Sequence, residues 1–169
     1  MIPDWVQLDP LAVIVLFLVT AQRLGELAYA RVNEARLRRI GGVEHGASHY
    51  PAIVALHAAW LIGLWLAASG THPRYGWLAI FLVLQVLRVW VLSTLGPRWT
   101  ARVIVLPGKA PIRRGPYRFL SHANYAVVAA EIFVLPMAFG LVAYALVFSA
   151  LNAAVLAVRI RSENAALLP

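Results

Sequence analysis

The chain has 169 residues, 62% of them hydrophobic, with a mean hydropathy of +0.74 and no cysteine. Soluble domains carry about 45–50% apolar residues, so composition alone assigns this chain to the membrane; the missing cysteine excludes thiol nucleophiles, thiolate metal sites and disulfides. The formal net charge of +8 raises nucleic-acid binding, but the placement of the cations explains it otherwise.

A membrane-spanning helix needs roughly 20 mostly apolar residues, and five stretches read as such helices. The first runs from about Pro10 to Ala30, with Asp9 as N-cap and Pro10 in the first turn. Its flank carries Asp4 and Asp9 and no basic residue, the wrong charge for a cleavable signal peptide. The second runs from about Tyr50 to Ser69 and the third from Gly76 to Leu95, where Gly96-Pro97 stops it. The fourth runs from about His122 to Leu135, with Ser121 as its cap and Pro136 as its end. The fifth, from about Phe139 to Ile160, follows so closely that the two must form a tight antiparallel hairpin. The expected fold is an all-α polytopic membrane protein, one domain over residues 1–169, with any cofactor held mainly by residues 97–169.

The cations fix an orientation. Arg31, Arg36, Arg38 and Arg39 follow the first helix. Arg98, Arg102, Lys109, Arg113, Arg114 and Arg118 lie between the third and fourth, and Arg159 and Arg161 end the fifth. The opposite side holds Arg74 with Asp4 and Asp9. By the positive-inside rule the N-terminus lies outside and the C-terminus in the cytoplasm, with no role for nucleic acid.

Polar groups inside a bilayer are costly and usually functional. Here Arg23, Glu26, His57, Gln85, Arg88, Glu131 and Asn152 all fall roughly four to ten residues from the basic end of their helices, or about 6–15 Å at the helical rise. Arg23 and Glu26, like Gln85 and Arg88, are three apart and share a face. Asn124 with Glu131, His49 with Ile53 and His57, and Asn152 with Arg159 and Glu163 form further stripes. The plain reading is a set of structural pairs, Arg23 with Glu26 and Arg88 with Glu131. The common depth favours a polar site open to the cytoplasm. No serine has a His-Asp partner at a telling spacing, and Glu44, His45 and His49 are too few for a metal site. A proton-linked transporter or an assembly subunit remains open, although five helices without a repeat suit transport poorly. The remaining reading is a site for a charged cytosolic cofactor beside an apolar substrate.

The segments QVLRVWVLSTLGPRWTARVIVLPGKAPIRRGPYRFLSHANYAVVAAE (Gln85 to Glu131) and RIRSEN (Arg159 to Asn164) resemble the isoprenylcysteine carboxyl methyltransferase family. These are integral-membrane enzymes dependent on S-adenosyl-L-methionine, which leaves as S-adenosyl-L-homocysteine. The stretch EHGASHYPAIVALHAAW (Glu44 to Trp60) looks like a bacterial branch that O-methylates alkylpyrone and alkylresorcinol lipids. The resemblance implies that Leu106, Pro107 and Gly108 surround the adenosine. It implies that His122 and Tyr125 lie near the cofactor's carboxylate and Glu163 near its amino group. It assigns Gly115, Pro116, Tyr117, Asn124, Arg159 and Arg161 to the same site. Two positions depart from the family pattern, Ala123 for a proline and Asn164 for a second glutamate. Each residue also has a plainer reading: His122 as a helix cap, Tyr117 and Tyr125 as interfacial aromatics, Arg159 and Arg161 as topology anchors.

The acceptor is a lipophilic small molecule reached from the membrane lipids. A hydroxyl acceptor calls for a base or an oxyanion-stabilising cation. His49, at the membrane boundary, is the first candidate base because imidazole titrates near neutrality, and His57 the second; Arg88 would stabilise the oxyanion with Gln85 orienting. A prenylated carboxylate or a phospholipid amine are the alternative acceptors. The oligomeric state is not legible.

Overall fold

The computed structural model describes residues 9–167, so Asp4 lies outside the described residues. Among the described residues five α-helices run α1 Pro10–Arg39, α2 Tyr50–Ala67, α3 Tyr75–Leu95, α4 Ala123–Ala138 and α5 Val142–Leu167. Four are long and apolar enough to cross a membrane, and α4 is a shorter apolar helix. The all-α polytopic architecture is therefore as expected, with one addition. Two short strands, β1 Val43–His45 and β2 Val103–Val105, pair antiparallel with Glu44 opposite Ile104.

Asp9 caps α1 as expected, its carboxylate accepting from the Leu11 N–H at 2.8 Å, with Pro10 in the first turn. However, α1 does not stop at Ala30; it continues about two and a half turns to Arg39. The extension is polar on one side yet not solvated, because Asn33, Glu34 and Leu37 are buried beneath the segment that follows α3. Asn33 Nδ2 donates to the Trp99 carbonyl at 2.9 Å and Arg36 Nη2 to that of Pro97 at 3.0 Å. The helix supports a loop.

Pro136 does not end α4, which runs on to Ala138. A proline so near the C-terminus forfeits one hydrogen bond of a ladder that is about to end, so the helix tolerates it. The turn after it is a Schellman motif. Gly140 (φ +72°) donates to Met137 at 3.1 Å and Leu141 to Pro136 at 3.0 Å, which delivers the chain straight into α5. This is the tight hairpin read from the sequence.

With 16 residues, α4 is about 24 Å long, short of a bilayer core of about 30 Å. Its length is tolerable because it is an interior helix: Ala123, Val127, Glu131, Ile132, Val134, Leu135, Pro136 and Ala138 are all buried. Away from the arginine-rich end the core is apolar, built from Ala12, Leu16 and Val19 of α1, Trp60 and Leu64 of α2, Phe81 of α3, and Ile132 and Leu135 of α4. The spacing of these residues within α1 and α2 marks single helical faces turned inward. The outward faces are equally apolar, with Phe17 and Leu18 on α1 and Val86 and Val89 on α3 exposed, as a lipid-facing bundle requires.

Candidate active site

At the depth marked by the sequence, α1, α3 and α4 bring four charged side chains together. Arg88 donates from Nε and Nη2 to Glu26 at 2.5 and 2.6 Å, and from Nη1 to Glu131 at 3.0 Å. Arg23 reaches the same two carboxylates, Glu26 at 3.1 Å and Glu131 at 2.7 Å. Gln22 donates to Glu26 at 3.0 Å and Gln85 to Glu131 at 2.9 Å. The two expected pairs are thus one cross-linked square of zero net charge, and Glu131, fully buried, is its hub. Burying single ions would cost several kcal/mol each; charge balance with hydrogen bonds on every carboxylate oxygen makes the layer tolerable. All three guanidinium nitrogens of Arg88 are engaged by carboxylates. Arg23 Nε and Gln85 Oε1 are buried without a hydrogen-bond partner among the described residues.

About two turns from Glu131 towards the arginine-rich end of α4, the bundle opens into a cavity of about 740 Å³. Six of the anticipated cofactor residues line it: Tyr117, His122, Asn124, Tyr125, Arg159 and Glu163. The α4–α5 hairpin sets them face to face. Tyr125 donates to Glu163 at 2.5 Å and accepts from Arg159 Nε at 2.9 Å, which ties the two helices together beneath the cavity. His122 stacks on Tyr125 with ring centroids 5.5 Å apart, and its Nδ1 lies 3.8 Å from Glu163. His122 is the residue at the α4 N-cap, but its side chain makes no capping bond, and Ser121 is not the cap. The Ala123 N–H donates instead to the Leu120 carbonyl at 3.2 Å, and the Tyr125 and Ala126 N–H groups to that of His122 at 3.0 and 3.1 Å. The Tyr117 hydroxyl and Asn124 Oδ1 are buried in the cavity wall without hydrogen-bond partners among the described residues. Burial, then the nearby Glu163 charge, push the Tyr117 hydroxyl above its ordinary range, so it stays protonated and able to donate.

The remaining candidates lie elsewhere. Leu106–Lys109 is a reverse turn beyond β2, closed by the Lys109 N–H to Leu106 at 3.1 Å with Gly108 at φ +71°; Leu106, Pro107 and Gly108 are not in the cavity wall. Gly115, at φ +56°, seats the turn Gly115–Arg118 against α3, where a Cβ would stand 2.6 Å from Thr94 Oγ1, and Pro116 follows it. Arg161 is exposed. His49 is packed against Gly46 (φ +63°), where a Cβ would meet its ring at 2.0 Å. It lines a narrow crevice with Ile53, Arg102 and Arg159. His57 bonds through Nδ1 to the Ile53 carbonyl at 2.8 Å. A carbonyl only accepts, so Nδ1 carries a proton, and Nε2 is the acceptor whenever the ring is neutral.

The cavity's other wall falls within residues 97–169, where the sequence places the cofactor, although it does not single out these residues one by one. Trp99, Thr100, Arg102 and β2 line it, and Glu44 holds them in place. Glu44 accepts from Arg102 at 2.5 Å and from Arg38, joining β1, the α1 extension and β2. Arg102 also stands 4.0 Å over the Tyr50 ring, and its N–H donates to Glu34 at 3.2 Å. The signal was an acid in a basic loop, where it needs a partner. Burial opposes the Glu44 charge, but the hydrogen bonds from Arg102 and Arg38 outweigh it and hold the carboxyl below the usual range. A lowered carboxyl contributes stability above the ordinary glutamate range of about pH 4–5 and loses it as pH falls through the folded value. The clasp therefore holds at neutral pH and opens in acid. Glu44→Gln is expected to mimic that opening at neutral pH, seen as faster amide exchange in Val103–Val105 with α4 unchanged.

A polytopic helical bundle with a polar cavity at its arginine-rich end, above a charge-balanced layer inside the apolar zone, is an integral-membrane protein. Residues 77–169 match the model of the isoprenylcysteine carboxyl methyltransferase (ICMT) family. The chain is also similar to the uncharacterized protein YpbQ of Bacillus subtilis (strain 168), 37% identical over 155 residues that cover 89% of this chain and 92% of that protein. The chain belongs to the isoprenylcysteine carboxyl methyltransferase family, membrane methyltransferases that generally use S-adenosylmethionine. No solved structure matches it.

Proposed function

We propose that this protein transfers a methyl group from S-adenosylmethionine to an oxygen of a lipophilic acceptor, first among them a phenolic or pyrone polyketide lipid. The observation that carries the reading is the cavity wall: residues of the family's cofactor motif, most of them brought from α4 and α5, converge on about 740 Å³ of space. That volume is in the range of small-molecule sites, roughly 300–1,000 Å³.

The donor set fits this cofactor. Glu163, with Tyr125 and His122 beside it, suits an ammonium group. Asn124 and Tyr117 line the same space, and Val103 and Val105 give it an apolar surface for a nucleoside. Bound there, S-adenosylmethionine supplies an electrophilic methyl group on a sulfonium. The protein's own work is then positioning and desolvation. Since Arg88 is held by Glu26 and Glu131, we assign it and Gln85 to positioning the acceptor side of the site, not to holding an oxyanion. Proton removal falls to His49, with His57 Nε2 as the second candidate. The acceptor enters from the bilayer between helices and the cofactor from the cytoplasm, in a bacterial inner membrane.

The test is label transfer from S-adenosylmethionine to an alkylresorcinol, a prenylated carboxylate and a phospholipid amine in parallel. Transfer to the alkylresorcinol alone is expected, and His49→Ala should lower it about 100-fold near neutral pH. A His49→Ala enzyme at full turnover across about pH 6–9 would remove His49 as base and favour a carboxylate acceptor, which needs none.

A further inference from the structure

Between residues 97 and 130 there is no acidic residue, while Lys109, Arg113, Arg114 and Arg118 crowd into ten positions. None of the four forms an ion pair among the described residues, in contrast to Arg23, Arg38, Arg88 and Arg102. Arg113, Arg114 and Arg118 are exposed, and Arg113 and Arg118 also reach the rim of the cavity. Directly after them the chain presents Phe119 at 77% exposure and Leu120 at 49%, with the Arg118 guanidinium 5.3 Å from the Phe119 ring.

This patch cannot drift into solution. Gly115 is locked against Thr94 and the indole of Trp90 on the last turns of α3, and Ala123 begins α4 three residues after Leu120. Both helix ends belong to the membrane-embedded bundle, so the cations and the two apolar side chains stand at the level of lipid head groups. Cations there are attracted by anionic lipid, and aromatic and aliphatic side chains beside them enter the boundary between head groups and chains. The positive-inside rule accounts for the sign of the loop but not for a bare phenylalanine beside three unpaired guanidinia.

We infer that Arg113, Arg114, Arg118, Phe119 and Leu120 form a binding site for the head groups of anionic phospholipids at the rim of the cavity. The occupant is membrane lipid and not a soluble anion, because the cations adjoin an exposed apolar pair at head-group depth. The site goes beyond the methyl-transfer reading and stands without it.

The test is native mass spectrometry of the full chain ejected from nanodiscs of phosphatidylcholine mixed with phosphatidylglycerol. Wild type should retain phosphatidylglycerol over phosphatidylcholine, and R113Q/R114Q/R118Q should lose that preference by roughly fivefold per cation removed. R113K/R114K/R118K, which keeps the charge, should keep most of it. Should the glutamine variant fail to fold, the preference of wild type is measured against salt, where a steep fall is expected. Equal retention of both lipids by wild type, undiminished preference in the folded glutamine variant, or indifference to salt would each overturn the proposal.

Discussion

Glu131→Leu is expected to destabilise the protein by about 3–5 kcal/mol, the largest effect of any single substitution proposed, measured as unfolding in a fixed detergent. Leucine fills a similar volume, so the loss is not a cavity effect. It strands two guanidinia: Arg88 at 3.0 Å and Arg23 at 2.7 Å both lean on Glu131, and the layer goes from neutral to a net positive charge inside the apolar zone. The companion variant carries the argument. Arg88→Met together with Glu131→Leu removes one charge of each sign and leaves Arg23 with Glu26 at 3.1 Å. It should recover most of the loss, because buried pairs are often replaced by apolar groups at little cost while half a pair is not. A double variant as unstable as Glu131→Leu would mean that the layer acts through packing and not through charge balance.

The second large effect is on the cofactor. Glu163→Ala should weaken S-adenosylhomocysteine binding about 10–100-fold, the range for one charge-assisted hydrogen bond, without lowering the unfolding temperature by more than a few degrees. Glu163 is partly exposed, with 28% of its side chain open to the cavity, so its removal leaves no buried hole. Tyr125→Phe separates orientation from charge. It deletes the hydroxyl that takes a bond from Arg159 at 2.9 Å and gives one to Glu163 at 2.5 Å, while leaving the carboxylate. A smaller loss than that of Glu163→Ala is expected. If Tyr125→Phe costs more, the hydroxyl itself meets the ligand.

Much of this was legible because a bilayer punishes polar residues. Seven polar groups at one depth in an otherwise apolar chain implied a cluster, and Arg23, Glu26, Gln85, Arg88 and Glu131 do meet. What the spacing withheld was the crossing: Arg23 bonds to Glu131 as well as Glu26, since two carboxylates between two guanidinia are better solvated shared than paired off. The hairpin was legible from Pro136 and the short connection, although the helix runs through that proline. Outside the apolar zone the constraint vanishes. The α1 extension to Arg39 looked like a basic loop because its buried residues, Asn33 and Glu34, are polar and bond to a distant segment. The β1–β2 ribbon escaped notice because three-residue strands carry too little alternation to announce themselves. Glu44 was read only against a metal site, whereas an acid amid cations is better asked which arginines it holds.

The central claim, that the cavity walled by Tyr117, His122, Asn124, Tyr125 and Glu163 is the cofactor site, is tested most directly by calorimetric titration of detergent-purified wild type and His122→Ala with S-adenosylhomocysteine. The account predicts saturable micromolar binding by wild type, weakened about tenfold or more when the His122 ring is removed. Absence of binding by folded wild type, or binding that His122→Ala leaves untouched, would contradict it.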